Sequence, residues 1–283
     1  MWSVEGKTIL VTGATSGIGL EASIALARLG ARLILVGRDP QRTAAAVAAV
    51  RTRAGRTATS YLADFSSQAS VRALAAAVLR DHARLDVLVN NAGGVNKRRT
   101  LTVDGLETTF ATNHLGPFLL THLLRNLIVS SAPARIVTVA SIGHRRGTMD
   151  FDDLGFERGY SIMNAYSRSK LANVLFTREL ARQLAGTGVT SNCVHPGSVA
   201  TNIWSGAPLW AKPIITVFFR WSFISAEQGG ATLVQLAASP ALEGVTGQYF
   251  ENQQPVAPSR LALDDGLARR LWEVSLRLVG VTT

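Results

Sequence analysis

The chain has 283 residues and a formal net charge of +10; 47% of its residues are hydrophobic and 17% charged. This composition excludes a disordered chain, and a lone cysteine, Cys193, excludes a disulfide framework or a cysteine-rich metal site. The basic residues lie scattered, Lys97-Arg98-Arg99 is their longest cluster, and no nucleic-acid-binding motif stands beside it, so no nucleic-acid partner is expected.

The first seven residues lack the basic-then-apolar order of a secretory signal, and with the single cysteine they suggest a cytoplasmic location. Residues 8–12 form a short apolar run that predicts a strand, followed by glycines and a helix over 17–29. The alternation continues with strand 32–36, helix 43–53, strand 57–62, helix 67–82, strand 86–90 and a long helix over 103–128. Strand 135–140, helix 160–184, strand 189–194, helix 226–238, strand 247–250 and helix 262–278 complete the pattern. Strands this apolar are covered on both faces, which predicts a parallel sheet with helices on each side. The fold class is therefore α/β, a Rossmann-type doubly wound parallel sheet in a single domain. The most apolar stretch, 203–224, holds Pro208, Lys212, Pro213 and Arg220, too many interruptions for a simple membrane span.

Between the first strand and first helix lies Gly13-Ala14-Thr15-Ser16-Gly17-Ile18-Gly19. Glycines there permit a tight turn and let backbone N–H groups reach a pyrophosphate, and the helix N-terminus favours the anion. Gly13, Thr15, Ser16, Gly17, Ile18 and Gly19 are thus candidate cofactor contacts. The second strand ends in Gly37-Arg38, where an acidic residue would instead hold a ribose 2′-hydroxyl. Arg38 can make a charge-assisted contact with a 2′-phosphate, which points to NADP(H) over NAD(H). The plain alternative is a solvated arginine at a strand end. Asp39 follows, and the sequence does not say where its carboxylate turns.

Four further motifs align. Asn90-Asn91-Ala92-Gly93 ends the fourth strand, Asn113 lies inside the long helix, Ser141 follows the fifth strand, and Tyr166-Ser167-Arg168-Ser169-Lys170 sits on the next helix. Together with the glycine turn they closely resemble the short-chain dehydrogenase/reductase family over almost the whole chain. Tyr166 and Lys170, at i and i+4, share one helical face. A phenol with an ordinary pKa of about 10 exchanges protons slowly near neutrality, and the neighbouring ammonium is expected to lower it. The resemblance implies that Tyr166 is the general acid/base, Ser141 polarises the substrate oxygen, Lys170 bonds the nicotinamide ribose, and Asn113 holds a helix distortion and a proton-relay water. It also implies cofactor contacts at Asp64, Phe65, Asn90, Ala92, Gly93, Pro196, Gly197, Val199 and Thr201, with Asn90 serving the sheet as well. His114, His144 and His195 lack metal-ligand spacing and read as ordinary polar residues.

The gap from Ser141 to Tyr166 contains Met149-Asp150-Phe151-Asp152-Asp153-Leu154, and Glu227-Gln228-Gly229 follows later. These features are similar to the retinol-dehydrogenase and protochlorophyllide-reductase-like branch. That branch implies NADPH and a bulky, lipophilic aldehyde, ketone or alcohol. Residues 200–226, rich in aromatics such as Trp204, Trp210, Phe218 and Phe219, fall where the family places a substrate lid; core packing, a subunit interface or peripheral membrane contact are the other readings. A homo-oligomer is implied by the resemblance, although a large lid would equally shield a monomer. NAD-linked alcohol oxidation, C=C reduction at the same cleft, and a non-catalytic NADP-binding or membrane-surface protein are the competing functions.

Overall fold

A computed structural model describes residues 3–199 and 223–281. β1 (Thr8–Thr12) leads to α1 (Gly17–Arg28), β2 (Arg32–Gly37), α2 (Pro40–Ala54), β3 (Ala58–Leu62), α3 (Gln68–Asp81) and β4 (Val87–Asn90). Next come α4 (Thr108–Phe110), a π-helical turn (Ala111–Leu115), α5 (Gly116–Ser130) and β5 (Ala134–Val139). A 3₁₀ turn (Ile142–Arg146), α6 (Ile162–Gln183), β6 (Val189–His195) and β7 (Ser198–Val199) follow. After residue 222 the described chain continues with β8 (Phe223–Ile224), α7 (Ala226–Ala238), β9 (Tyr249–Glu251), β10 (Gln254–Pro255) and α8 (Asp265–Leu278).

Eight strands form one sheet in the order β10-β9-β6-β5-β4-β1-β2-β3. All neighbours run parallel except β10, which pairs antiparallel to β9 and places Pro255 at the edge, where its missing N–H costs nothing. Side chains alternate between two apolar layers. Leu10, Ile34, Val36, Leu88 and Ile136 join one, beneath α3, α5, α6 and α8. Ile9, Val11, Leu33, Leu35, Val87, Val89 and Val137 join the other, beneath α1, α2 and α7. Both faces being buried explains why the strands read as unbroken apolar runs. Helix starts are set locally: Asp39 Oδ1 accepts from Arg42 N at 2.8 Å ahead of Pro40, Ser67 caps α3, and Ser225 and Gln228 form a capping box at α7.

The expected elements differ most at helix starts: α2 begins at Pro40 rather than 43 and α8 at Asp265 rather than 262. The long helix begins at Thr108 rather than 103. Gly105 takes φ +74 in a turn held by Thr102 Oγ1, Leu101 bridges Glu107, and the Glu107 carboxylate caps the N–H groups of Thr109 and Phe110 at 2.8 and 2.7 Å. The strand order reverses between β1 and β4, so their carboxyl ends open the crevice where such sheets receive ligands.

Candidate active site

At the tip of β1 the chain turns through Gly13 (φ +64) and Gly17 (φ +56). A Cβ on Gly13 would stand 2.9 Å from Ala92 Cα, and one on Gly19 would stand 2.5 Å from Gly13 O and collide with Asn91 Nδ2. Asn91 explains the crowding: its Nδ2 donates to Thr12 O and Gly13 O at 2.8 and 3.1 Å, and so fastens the glycine turn to the tip of β4. Thr12 Oγ1 accepts from the N–H groups of Asn91 and Ala92, both at 2.9 Å. Ser16 stands at the N-cap of α1 with no side-chain cap bond, and Thr15 and Ile18 flank it in the same turn. Asn91 was missed in the sequence, although it sits within the Asn90–Gly93 stretch.

Beyond the turn, a Cβ on Gly37 would collide with Thr43 Oγ1 and Thr15 Cγ2, which keeps this strand end free of a side chain. Arg38 is exposed and makes no ion pair among the described residues. The Asp39 carboxylate, whose direction the sequence left open, is spent on the α2 N-terminus. Asp64 Oδ1 accepts from Ser66 N and Oγ at 2.9 and 2.7 Å. The Phe65 side chain is in the core, and its carbonyl lies 2.7 Å from where Gly116 would carry a Cβ, so any cofactor contact there falls to its backbone. Asn90 donates from Nδ2 to Thr121 Oγ1 at 2.9 Å, which ties β4 to α5, and its buried Oδ1 has no partner among the described residues. Pro196 and Gly197 (φ +93) follow β6, and Val199 lies in β7, paired with Ile224. Thr201 and most of the expected 200–226 lid lie outside the described residues.

The expected helix distortion is a π turn at 111–115, which aims Asn113 inward. Asn113 Oδ1 accepts from Gly94 N at 2.7 Å, while Nδ2 donates to Gly94 O and Ser169 Oγ, each at 2.9 Å. Gly93 sits between Asn113 Oδ1 and Lys170 Nζ, 3.0 and 3.8 Å from the position of a Cβ. Lys170 is buried, donates from Nζ to Val139 O at 3.0 Å, and stands 5.6 Å from the centroid of the Tyr166 ring. Ser141 Oγ accepts from Gly143 N at 3.1 Å, and a Cβ on Gly143 would lie 3.3 Å from Tyr166 Cε1 and 3.4 Å from Ser141 Oγ. The four residues singled out in the sequence thus converge at the carboxyl end of the sheet beside the glycine turn.

Their electrostatics correct one expectation. Burial raises the Tyr166 hydroxyl above its ordinary value, and the Ser141 hydroxyl draws it partly back; the ammonium stands over the ring and does not produce the lowering that the spacing suggested. Burial brings the Lys170 amine down to about 8. His114, enclosed by Phe110, Phe118 and Phe176, is brought down to about 4 by burial, with the Asn173 contact opposing. His144 is lowered by burial and bridges Ser141 O (2.7 Å) to Ser259 N (3.0 Å). No group of metal-ligating side chains occurs among the described residues.

These histidines predict acid lability. Between pH 6.5 and 4 an unfolded chain takes a proton that folded His114 refuses, so stability present above pH 6.5 is lost as pH falls toward 4. At pH 5 that one residue costs about 2 kcal/mol. Urea midpoints measured at pH 7 and 5 should differ accordingly, and His114→Phe should narrow the gap.

The insert between Ser141 and Tyr166 is clamped by Arg168, the middle residue of the tyrosine–lysine motif. Its Nε donates to Thr148 O at 3.0 Å, Nη1 reaches Asp153 O, and the guanidinium lies 3.7 Å from the centroid of the Phe156 ring. Arg99 Nε donates to Gly155 O at 2.8 Å and the Tyr160 hydroxyl to Asn96 O, also at 2.8 Å, so the insert is fastened to the segment after β4. Ile142, Ile162 and Met163 remain exposed beside Ser141 and one turn ahead of Tyr166.

Residues 7–211 match the model of the short chain dehydrogenase family. The chain is 44% identical to mouse retinol dehydrogenase 14 over 293 residues, covering 98% of this chain and 87% of that protein. A crystal structure of an uncharacterized protein from Mycobacterium paratuberculosis superposes with a TM-score of 0.80 at 34% identity, over 99% of this chain and 95% of the other. The Pseudomonas aeruginosa RhlG/NADP active-site complex superposes with a TM-score of 0.71 at 26% identity, over 94% and 98% of the two chains. Likeness of this extent makes the protein a member of the short-chain dehydrogenase family, in its retinol-dehydrogenase-like branch, and so an oxidoreductase of alcohols and carbonyls that works with a nicotinamide cofactor.

Proposed function

We propose that the protein is an NADPH-dependent reductase of a bulky, apolar aldehyde or ketone, with Tyr166 as general acid. The observation that carries this reading is the gathering of Tyr166, Ser141 and Lys170 around Gly143 and Gly93, beside a glycine turn that leaves backbone open to an anion. The residues present fit a dinucleotide. Gly13 and Gly19 admit close backbone approach, Ser16 keeps its hydroxyl off the helix end, and Arg38 stands exposed beside side-chain-free Gly37. When bound, the reduced nicotinamide supplies a hydride to the carbonyl carbon.

The chain's own part is the proton. A phenol held above its ordinary pKa stays protonated at neutral pH, the form needed to give H⁺ to the substrate oxygen during reduction. Ser141, supported by Gly143 N, is placed to hold that oxygen. Lys170, with an amine near 8, remains largely charged at neutral pH and can hold a ribose hydroxyl while biasing the phenol once the tyrosinate forms. Asn113, anchored to Gly94 and Ser169, keeps the π turn open toward Lys170.

Preference for NADPH rests on Arg38, with Asp39 turned away to α2. Arg38→Ala should weaken NADPH binding about 10- to 100-fold, as loss of a charge-assisted contact costs about 1.5–3 kcal/mol, and leave NADH nearly unchanged. Titrations showing equal loss for both would remove Arg38 from this role. An apolar substrate is supported by Ile142, Ile162 and Met163, exposed by 49%, 39% and 45% around Ser141 and Tyr166. A panel of carbonyls and alcohols, followed by nicotinamide absorbance with both cofactors, tests the whole reading. Long-chain aldehydes turned over faster than small hydrophilic ketones support it; preferred NAD-linked alcohol oxidation, or C=C reduction alone, would replace it. A cytoplasmic location belongs to the same proposal, and fractionation of expressing cells checks it. So does homo-oligomer assembly, which sedimentation decides.

A further inference from the structure

Lys170 does not hold its position unaided. The Val139 carbonyl that receives its Nζ at 3.0 Å also receives Asn173 Nδ2 at 3.1 Å. Val139 is the last residue of β5, two before Ser141, so this one oxygen anchors the amine and the strand end that carries the serine. Asn173 lies three residues beyond Lys170 on α6, on a neighbouring part of the same helical face. Its other amide atom, Oδ1, faces His114 Nδ1 at 3.4 Å, and His114 Nε2 faces Ser275 Oγ on α8 at 3.0 Å. Asn173, His114 and Ser275 are all buried, at 2%, 1% and 0% exposure.

The polarity of this chain of bonds follows from its ends. A carbonyl only accepts, so the Asn173 amide must present Nδ2 to Val139 and Oδ1 to His114. That oxygen in turn only accepts, which places the ring proton on Nδ1, leaves Nε2 bare, and calls for the Ser275 hydroxyl as its donor. Every member then has a partner, and the amide cannot flip without breaking two bonds at once.

We propose that Asn173 and His114 are positioning residues that fix the Val139 carbonyl, and through it the amine of Lys170, from the C-terminal helix α8. The inference rests on the reading of Lys170 as part of the reaction centre. With Asn173 removed, Val139 keeps one donor and the amine loses its fixed reference. Without the His114 N–H, the amide is free to turn.

His114 allows a test that separates positioning from packing. It lies among Phe110, Phe118 and Phe176, so by packing alone phenylalanine fits the site better than asparagine. Asparagine, however, carries an amide N–H at the position of the ring Nδ1 and keeps a donor for Asn173. Single-turnover oxidation of bound NADPH at saturating long-chain aldehyde, measured where every variant is folded, should be about tenfold slower in His114→Phe, which leaves Asn173 Oδ1 and Ser275 Oγ without their partner. His114→Asn should stay within threefold of wild type in rate while melting clearly lower, because it leaves a cavity among the three rings. Asn173→Leu should lose rate at least as much as His114→Phe, with NADPH affinity changed less than threefold. If rates instead follow melting temperatures across the series, or His114→Phe turns over like wild type, the positioning role is overturned, and the second result decides even if Asn173→Leu does not fold. A wild-type rate that survives Tyr166→Phe is a different failure, since it overturns the reading of the site itself.

Discussion

Tyr166→Phe should reduce carbonyl turnover by about 10²- to 10⁴-fold, the usual worth of a positioned general acid, while NADPH binding stays close to wild type. The substitution removes one oxygen and leaves the ring, which lies against Gly143 and under the Lys170 amine. Folding should survive, because the ring stays in place and Ser141, the one side chain that favours the ionised hydroxyl, belongs to the site and not to the core. Fluorescence titration of the cofactor and a steady-state assay on one preparation give both numbers. Near-normal turnover would exclude the phenol as proton donor; lost cofactor binding would show that the ring builds the dinucleotide site instead.

Lys170→Met should have the opposite signature on stability and the same on activity. A buried amine brought from 10.5 down to about 8 carries a penalty of about 3 kcal/mol at neutral pH. Methionine fills similar space without charge and loses one hydrogen bond to Val139, worth about 1 kcal/mol, while Asn173 still satisfies that carbonyl. A net gain of about 2 kcal/mol, or roughly 4–8 °C in melting temperature, is expected alongside loss of turnover. The pH dependence gives a second check. From pH 8 to 10.5 the unfolded chain retains a proton that the folded wild type has released, so wild-type stability climbs across that window. The methionine variant should lack the climb. A variant less stable than wild type at pH 7 would mean that the amine contributes more than its burial costs.

Most of the fold was legible because the strands are covered on both faces and the helices carry local punctuation. Ser67 starts a helix where the pattern changes period, and the alternation of β1, β2 and β4 between two apolar layers leaves them as unbroken apolar runs, whereas the Asp39-Pro40 start of α2 lies three residues ahead of the expected one. The tetrad was legible because tyrosine and lysine at i and i+4, with Ser141 and Asn113 in register, form a rare combination. The residues that hold these four were not. Asn173, Asn91 and Arg168 act through amide or guanidinium groups whose partners lie on other elements, Val139 O, Gly13 O and Thr148 O among them. A spacing rule sees one helix at a time. Position along the chain marked all three, Asn91 and Arg168 inside quoted motifs and Asn173 three residues past Lys170, but it did not show what they hold. The direction of the Tyr166 shift was misread for a related reason: proximity to an amine is visible in sequence, whereas the depth of the cleft is not.

The π turn at 111–115 sets a rule for length changes in this segment. It takes one residue more per turn than the helix that follows, and Asn113 and His114 spend that extra residue facing two different partners, Gly94 and Asn173. Deleting one residue there would let the backbone close into an ordinary α-helix with α4 and α5 still in phase, because the turn is one extra residue accommodated within a helix. Phe118, Leu120 and Leu124 would keep the layer they share with the sheet, whereas Asn113 and His114 could no longer both face their partners. A deletion library across 111–115 should therefore yield soluble protein that has lost turnover, while a deletion within α5 itself would turn its apolar face by about 100° and abolish soluble expression.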